Sequence, residues 1–194
     1  MAHKVNLKTY KLIFIGSANV GKTTIIRSYT YGAEYDNICP TIGAEFCNIQ
    51  RSNYSLDIWD TAGQERFISM IRAYCQDIAI CVFTYDITNP ESIQNLKKIW
   101  IPYVINSLSD TKEPPVFIFV GNKMDLVSRK LKTHAPTIKQ RSFVTNNKYW
   151  KNINVKSIRN DIVDLKMTLQ KQLSEKTNFN VKDVIIDDFQ MSAR

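Results

Sequence analysis

The residues Gly16-Ser17-Ala18-Asn19-Val20-Gly21-Lys22-Thr23 fit the pattern G-x-x-x-x-G-K-[ST]. Set between a strand and a helix, such a loop turns its backbone N–H groups inward around phosphate, and the helix N-terminus adds positive potential. The expected phosphate contacts come from Ser17, Ala18, Asn19, Val20, Gly21, Lys22, Thr23 and Thr24. The Lys22 ammonium would reach the β and γ phosphates, and the Thr23 hydroxyl would bind Mg²⁺. Alone, the pattern implies a nucleoside triphosphate and no particular base.

A second constellation, Asp60-Thr61-Ala62-Gly63-Gln64-Glu65, follows the alternating stretch that ends at Trp59. An Asp here can hold the magnesium shell through water, Gly63 can bring its N–H to the γ-phosphate, and Gln64 can orient an attacking water. The third, Asn122-Lys123-Met124-Asp125, follows the apolar run Val116 to Val120. A carboxylate at Asp125 can accept both the N1–H and the exocyclic amine of guanine. Adenine would leave that carboxylate unpaired, and a site built on such pairing rejects the wrong partner strongly. Asn122 would tie this loop to the phosphate loop, and the Lys123 stem would lie over the base. Thr41 lies 19 residues after Lys22 in a polar stretch with Tyr35, Asp36 and Pro40. A hydroxyl there that closes onto Mg²⁺ only when a γ-phosphate is present makes a loop into a switch, because a ligand shifts states only by binding them unequally.

Three apolar runs, Leu12 to Ile15, Ile78 to Tyr85 and Val116 to Val120, read as buried parallel strands. Ala44 to Ile49 and Ser55 to Trp59 alternate, and the Arg51-Ser52-Asn53 turn between them implies an antiparallel hairpin. A last short strand is expected near Ile153 to Val155. Ile162, Leu165, Leu169 and Leu173 fall at helical spacing, with Asn160 or Asp161 as a cap. Ile93, Leu96, Trp100 and Tyr103 mark another helix, opened by Asn89-Pro90-Glu91. Pro102 lies inside it and should bend or shorten it. Strands alternating with helices imply an α/β sheet covered on both faces, with ligands at the carboxyl ends of the strands.

With these motifs in this order, the chain resembles the Ras superfamily of small GTPases, and within it the Rab proteins. Thr41-Ile42-Gly43-Ala44-Glu45-Phe46 resembles the Rab stretch T-I-G-x-x-F. Residues Trp59 to Phe67 match W-D-T-A-G-Q-E-R-F at every position, and Tyr85-Asp86-Ile87-Thr88 resembles Y-D-I/V-T. The resemblance covers roughly Leu7 to Ser174. It implies a P-loop fold: a six-stranded, mostly parallel sheet with one antiparallel strand and about five helices. Residues 1–176 would form the GTP-binding domain and 177–194 a flexible tail. It further implies GTP and GDP as ligands with Mg²⁺, slow hydrolysis with Gln64 and Lys22 catalytic, and a monomer acting in membrane traffic. Exchange factors, activating proteins and effectors would engage Tyr35–Phe46 and Gly63–Tyr74. The family's S-A-K guanine loop corresponds to Asn154-Val155-Lys156, where a Val155 N–H could still meet the base oxygen. The family's aromatic over the guanine edge falls at Glu34, leaving Tyr31, Tyr35 or neither to supply a ring; Tyr35 is the candidate.

Composition bounds the rest. One domain is expected from 194 residues, 44% of them hydrophobic. No apolar run reaches membrane-span length. Cys39, Cys47, Cys75 and Cys81 form no Cys-x-x-Cys pair, so free thiols are expected. The net charge of +8 is concentrated between Arg129 and Lys176, where twelve Lys or Arg face three acids. No nucleic-acid motif accompanies that charge and no nucleic-acid partner is expected; a peripheral membrane contact is allowed. The expected location is cytoplasmic, peripheral on endomembranes. The last cysteine is Cys81, so the chain as given has no cysteine for a prenyl anchor. Two rival readings are a GTP-loaded binding module that barely turns over and an ATP-using P-loop kinase, the latter disfavoured by Asp125.

Asp125→Asn should shift preference from guanine toward xanthine, whose 2-oxo group suits an amide donor. Competition binding with GTP and xanthosine triphosphate checks it; GTP affinity retained within a few-fold, with no xanthine binding, would remove Asp125 from the base site.

Overall fold

The computed structural model describes residues 7–32, 39–108, 113–126, 155–177 and 185–190. Its centre is a six-stranded sheet in the order β2-β3-β1-β4-β5-β6. The strands are β1 (Lys8–Ile15), β2 (Ala44–Gln50), β3 (Tyr54–Thr61), β4 (Ile80–Asp86), β5 (Val116–Asn122) and β6 (Ile186–Gln190). Among the described residues only the β2–β3 pairing is antiparallel. It is the expected hairpin, closed by Arg51 N–H to the Tyr54 carbonyl at 2.8 Å. The helices among the described residues are α1 (Lys22–Tyr31), α2 (Ile68–Tyr74), α3 (Pro90–Asn95), α4 (Ile101–Ser107) and α5 (Val155–Lys176). The architecture is the one that the resemblance implies: a six-stranded, mostly parallel sheet with one antiparallel strand, flanked by five helices among the described residues.

The pleat explains why central strands read as continuous apolar runs. Successive side chains point to opposite faces, and here both faces are covered. Ile13, Ile15, Cys81, Phe83, Tyr85, Phe117 and Phe119 point toward α2 to α5, where Ile71, Ile93, Leu96, Trp100, Val104, Leu165, Leu169 and Leu173 meet them. The alternate positions Phe14, Val82 and Val120 point the other way, toward Ile25 and Ile26 of α1. All four cysteines are free thiols, and burial pushes the Cys75 thiol up to about 12.

Asn89 caps α3, its side-chain oxygen accepting from Glu91 N–H at 3.1 Å, with Pro90 in the first turn. The proline expectation holds in a specific form. The α-helix stops at Asn95, a π-helical turn spans Leu96–Trp100, and α-geometry resumes at Ile101. Ile101 N–H bonds the Leu96 carbonyl, five residues back. Pro102 has no N–H to give and its ring crowds the carbonyl four residues before it; the widened turn accommodates both.

Two expectations are corrected. The sixth strand of the sheet is Ile186–Gln190, with Phe117 opposite Ile186, and Val155, expected in a strand, opens α5; Ile153 and Asn154 lie outside the described residues. This strand falls within the stretch 177–194, expected as a tail. Ion pairs hold α5 on both sides, Lys166 to Asp188 of β6 and Lys97 to Asp164. Second, α5 begins before Asn160, so neither Asn160 nor Asp161 caps it. A capping residue is a weak local preference, and a helix with a long buried stripe runs through it.

Leu165, Leu169 and Leu173 form that stripe. Leu169→Ala should cost about 2–5 kcal/mol, whereas Met167→Ala, two residues away but 56% exposed, should stay within about 0.5 kcal/mol. Urea unfolding of both variants checks the pair.

Candidate functional site

β1 lies between β3 and β4; the chain builds β2 and β3 on one side and then crosses to β4 on the other, and the crevice at such a reversal lies beyond the carboxyl ends of the strands. All three motifs arrive there: Gly16–Thr23 after β1, Asp60–Gln64 at the end of β3, and Asn122–Asp125 at the end of β5.

Gly21, with φ +95°, is the left-handed residue at the N-terminus of α1, and a Cβ on it would lie 2.2 Å from Asn122 Nδ2. Only glycine allows both the backbone turn and that approach. Asn122 Nδ2 donates to the Val20 carbonyl at 2.9 Å, joining the loop after β5 to the loop after β1. Lys22 is buried, its Nζ donating to the carbonyls of Gly16 at 2.8 Å and Ser17 at 3.0 Å. Burial lowers its pKa to about 8, opposed by the Asp60 charge.

Thr23, Thr41 and Asp60 converge. Thr23 Oγ1 donates to Asp60 Oδ2 at 2.6 Å and lies 2.9 Å from Thr41 Oγ1; Thr41 Oγ1 reaches the same carboxylate oxygen at 3.2 Å. Burial pushes the Asp60 carboxyl above the usual carboxylate range, against the opposing pull of Thr23, Lys22 and Thr41. Asp60 Oδ1 is buried and accepts no hydrogen bond among the described residues. Two hydroxyls and a carboxylate with an unused oxygen form a hard-oxygen donor set that suits Mg²⁺.

Gly63 packs against the phosphate loop: a Cβ on it would lie 2.4 Å from Ala18 N and from the Ser17 carbonyl. Ala62 N–H donates to the Gly43 carbonyl at 2.8 Å, so the segment bearing Thr41 is tied to the segment bearing Gly63. Ala18 and Asn19 are exposed. Gln64 is partly exposed at the start of a 3₁₀ turn, Glu65–Phe67.

A cleft of about 290 Å³ opens beside these loops, lined by Asn19, Gly21, Thr24, Asn122, Lys123, Asp125 and Leu126. Sequence reasoning missed what fixes its wall. Lys123, itself at φ +67°, pairs with Asp86 Oδ2 at 2.9 Å. Thr88 donates to the other oxygen through Oγ1 at 2.7 Å and N–H at 2.8 Å. Burial raises the Asp86 carboxyl, but these bonds outweigh it and hold it below its usual value. Asp86 stands opposite Asn122 in the β4–β5 register, and register is invisible in sequence. Val155 and Lys156 are the first two residues of α5, where a loop contact to the base was expected. Tyr35 and Asn154 lie outside the described residues.

A sequence model of the Ras family matches residues 11–187 of this chain.

The buried lysine yields a pH prediction. An anion brought to Lys22 favours its charged form and so raises its pKa from about 8 back toward the ordinary 10.5. Ligand binding between these limits must therefore take up a proton, and affinity falls as pH rises through the interval. Calorimetry of GDP binding to magnesium- and nucleotide-free protein near pH ~8.5, in buffers of different ionisation enthalpy, should show an uptake that disappears in Lys22→Gln.

Proposed function

The chain belongs to the Ras family of small GTPases, and from that premise we propose that it is a Rab-like switch acting in membrane traffic. As a small GTPase it binds guanine nucleotide, and it is subject to exchange factors, activating proteins and effectors. The proposed division of labour follows the loops. Backbone N–H groups from Ser17 to Thr24 cradle the phosphates, and Lys22 moves its charge from the Gly16 and Ser17 carbonyls to the β and γ oxygens. Asp125 accepts from the guanine edge, while Asp86 keeps the Lys123 stem against the base. Thr23 and Thr41 hold Mg²⁺, with Asp60 reaching it through water. Once bound, Mg²⁺ neutralises charge that develops on the phosphate oxygens. Gln64 orients the attacking water, and Gly63 offers its N–H to the γ-phosphate.

One observation carries the switch reading: Thr41, from the segment before β2, meets Thr23 and Asp60 at hydrogen-bond distance. A segment held at one end by a metal-binding hydroxyl is released when the γ-phosphate leaves. The surface beside it supports partner docking. Phe46 lies tilted against Trp59 and Tyr74 stacks on it, with centroids 5.2 and 4.9 Å apart. Phe46 is 53% and Ile42 80% exposed. These residues fall within or beside Tyr35–Phe46 and Gly63–Tyr74, the proposed partner segments. A cytosolic protein working at the surface of an internal membrane suits this role.

The phosphate loop contains no arginine, so turnover without an activating protein should be slow, on the order of 10⁻⁴ s⁻¹. Single-turnover hydrolysis should fall at least about tenfold in Gln64→Leu, or about 1.4 kcal/mol of barrier, with nucleotide affinity unchanged. If Gln64→Leu matches the parent, Gln64 is not catalytic and the chain is better read as a GTP-loaded binding module.

A further inference from the structure

The π turn at Leu96–Trp100 does more than accommodate Pro102. It brings two donors onto one atom of the phosphate loop. Trp100 Nε1 donates to Ser17 Oγ at 3.2 Å, and Asn95 Nδ2 donates to the same oxygen at 3.4 Å. Asn95 and Trp100 are five residues apart. In an α-helix that spacing places side chains about 140° apart around the axis, so both could not reach one acceptor. The wider π turn, with its i→i+5 bonds, narrows that angle and brings both side chains to the Ser17 side.

Ser17 is then fixed from three directions. A hydroxyl oxygen has two acceptor sites, and Trp100 and Asn95 fill both. The Ser17 carbonyl accepts from Lys22 Nζ at 3.0 Å, and its peptide lies against Gly63. A buried indole must find an acceptor somewhere, and a core tryptophan bonded to any nearby carbonyl would carry no meaning for the site. Trp100 is fully buried, yet its acceptor is a side chain of the phosphate loop, shared with a second donor from the preceding turn.

We infer that Trp100, aligned with Asn95 by the π turn, is a positioning residue for the phosphate loop: by holding Ser17 it keeps the backbone N–H groups turned toward phosphate and slows nucleotide release. This rests on the guanine-nucleotide reading of the same loop. A loop whose N–H dipoles converge relaxes outward unless restrained, and restraint in the binding conformation lowers the ordering cost of binding.

The test is a double-mutant cycle on GDP release, followed by displacement of a fluorescent GDP analogue. Trp100→Phe keeps a ring and removes the N–H; Ser17→Ala removes only the acceptor. Each should speed release about fivefold, the scale of one neutral hydrogen bond, and the double variant should be no faster than the faster single. Release within twofold of the parent in both singles overturns the inference. So do single effects that multiply in the double, because that is what independent packing damage gives. If Trp100→Phe does not fold, the indole Nε1–H resonance of ¹⁵N-labelled Ser17→Ala protein decides. It should shift upfield from its position in the parent, and an unmoved resonance overturns the inference. A parent that binds no GDP would instead sink the nucleotide reading, while the resonance still reports on the contact.

Discussion

The Lys22 ammonium organises the carboxyl end of the sheet. Taking a cation out of water costs several kcal/mol unless acceptors replace the solvent. The loop answers by turning the carbonyls of Gly16 and Ser17 onto Nζ. Those two carbonyls can face the lysine only if the chain curls tightly back over the first turn of α1, which demands the left-handed Gly21. The curl presents the Val20 carbonyl to Asn122 and the Ser17 peptide to Gly63. One buried charge thus sets the shape against which the loops after β3 and β5 are fitted.

The second tier of the site is electrostatic as well. Asp60 and Asp86 both sit at strand ends, and burial alone would raise both. Asp86 is held below its usual value by Thr88 and Lys123, while Asp60 is raised despite Thr23, Thr41 and Lys22. A carboxylate with all its demand met is a fixed brace; one with a buried, unused oxygen is prepared for another cation. That contrast separates the residue positioning the base loop from the residue proposed to face the metal.

Much of this was legible from residue order. The apolar runs at 12–15, 78–85 and 116–120 gave the central strands, because a sheet buried on both faces leaves no polar alternation to misread. The three motifs are local in sequence and fall at strand ends. What failed was non-local or conformational. Nothing near Ile153 says that an equally short segment beginning at Ile186 will pair with β5. Asn160 and Asp161 look like caps from their neighbours alone, although α5 begins earlier. Pro102 announced a break in the helix but not its form, since a kink, an early stop and a π turn all satisfy a missing N–H. The Asp86–Lys123 pair and the donors on Ser17 come from residues brought together only by register and packing.

The π turn also affects how this chain is compared with others. It fits one more residue into the helix than an α turn would over the same rise, yet Ile101, Val104 and Ile105 still return to the core. In a linear alignment the extra residue is a one-position insertion inside a helix, where gaps are normally penalised and so are pushed out to the nearest loop. Matched by counting from Asn89 onto a helix that lacks the turn, every residue from Ile101 to Ser107 would be assigned its neighbour's counterpart. Homologous positions on this helix are therefore set by three-dimensional superposition, with the gap placed between Leu96 and Trp100.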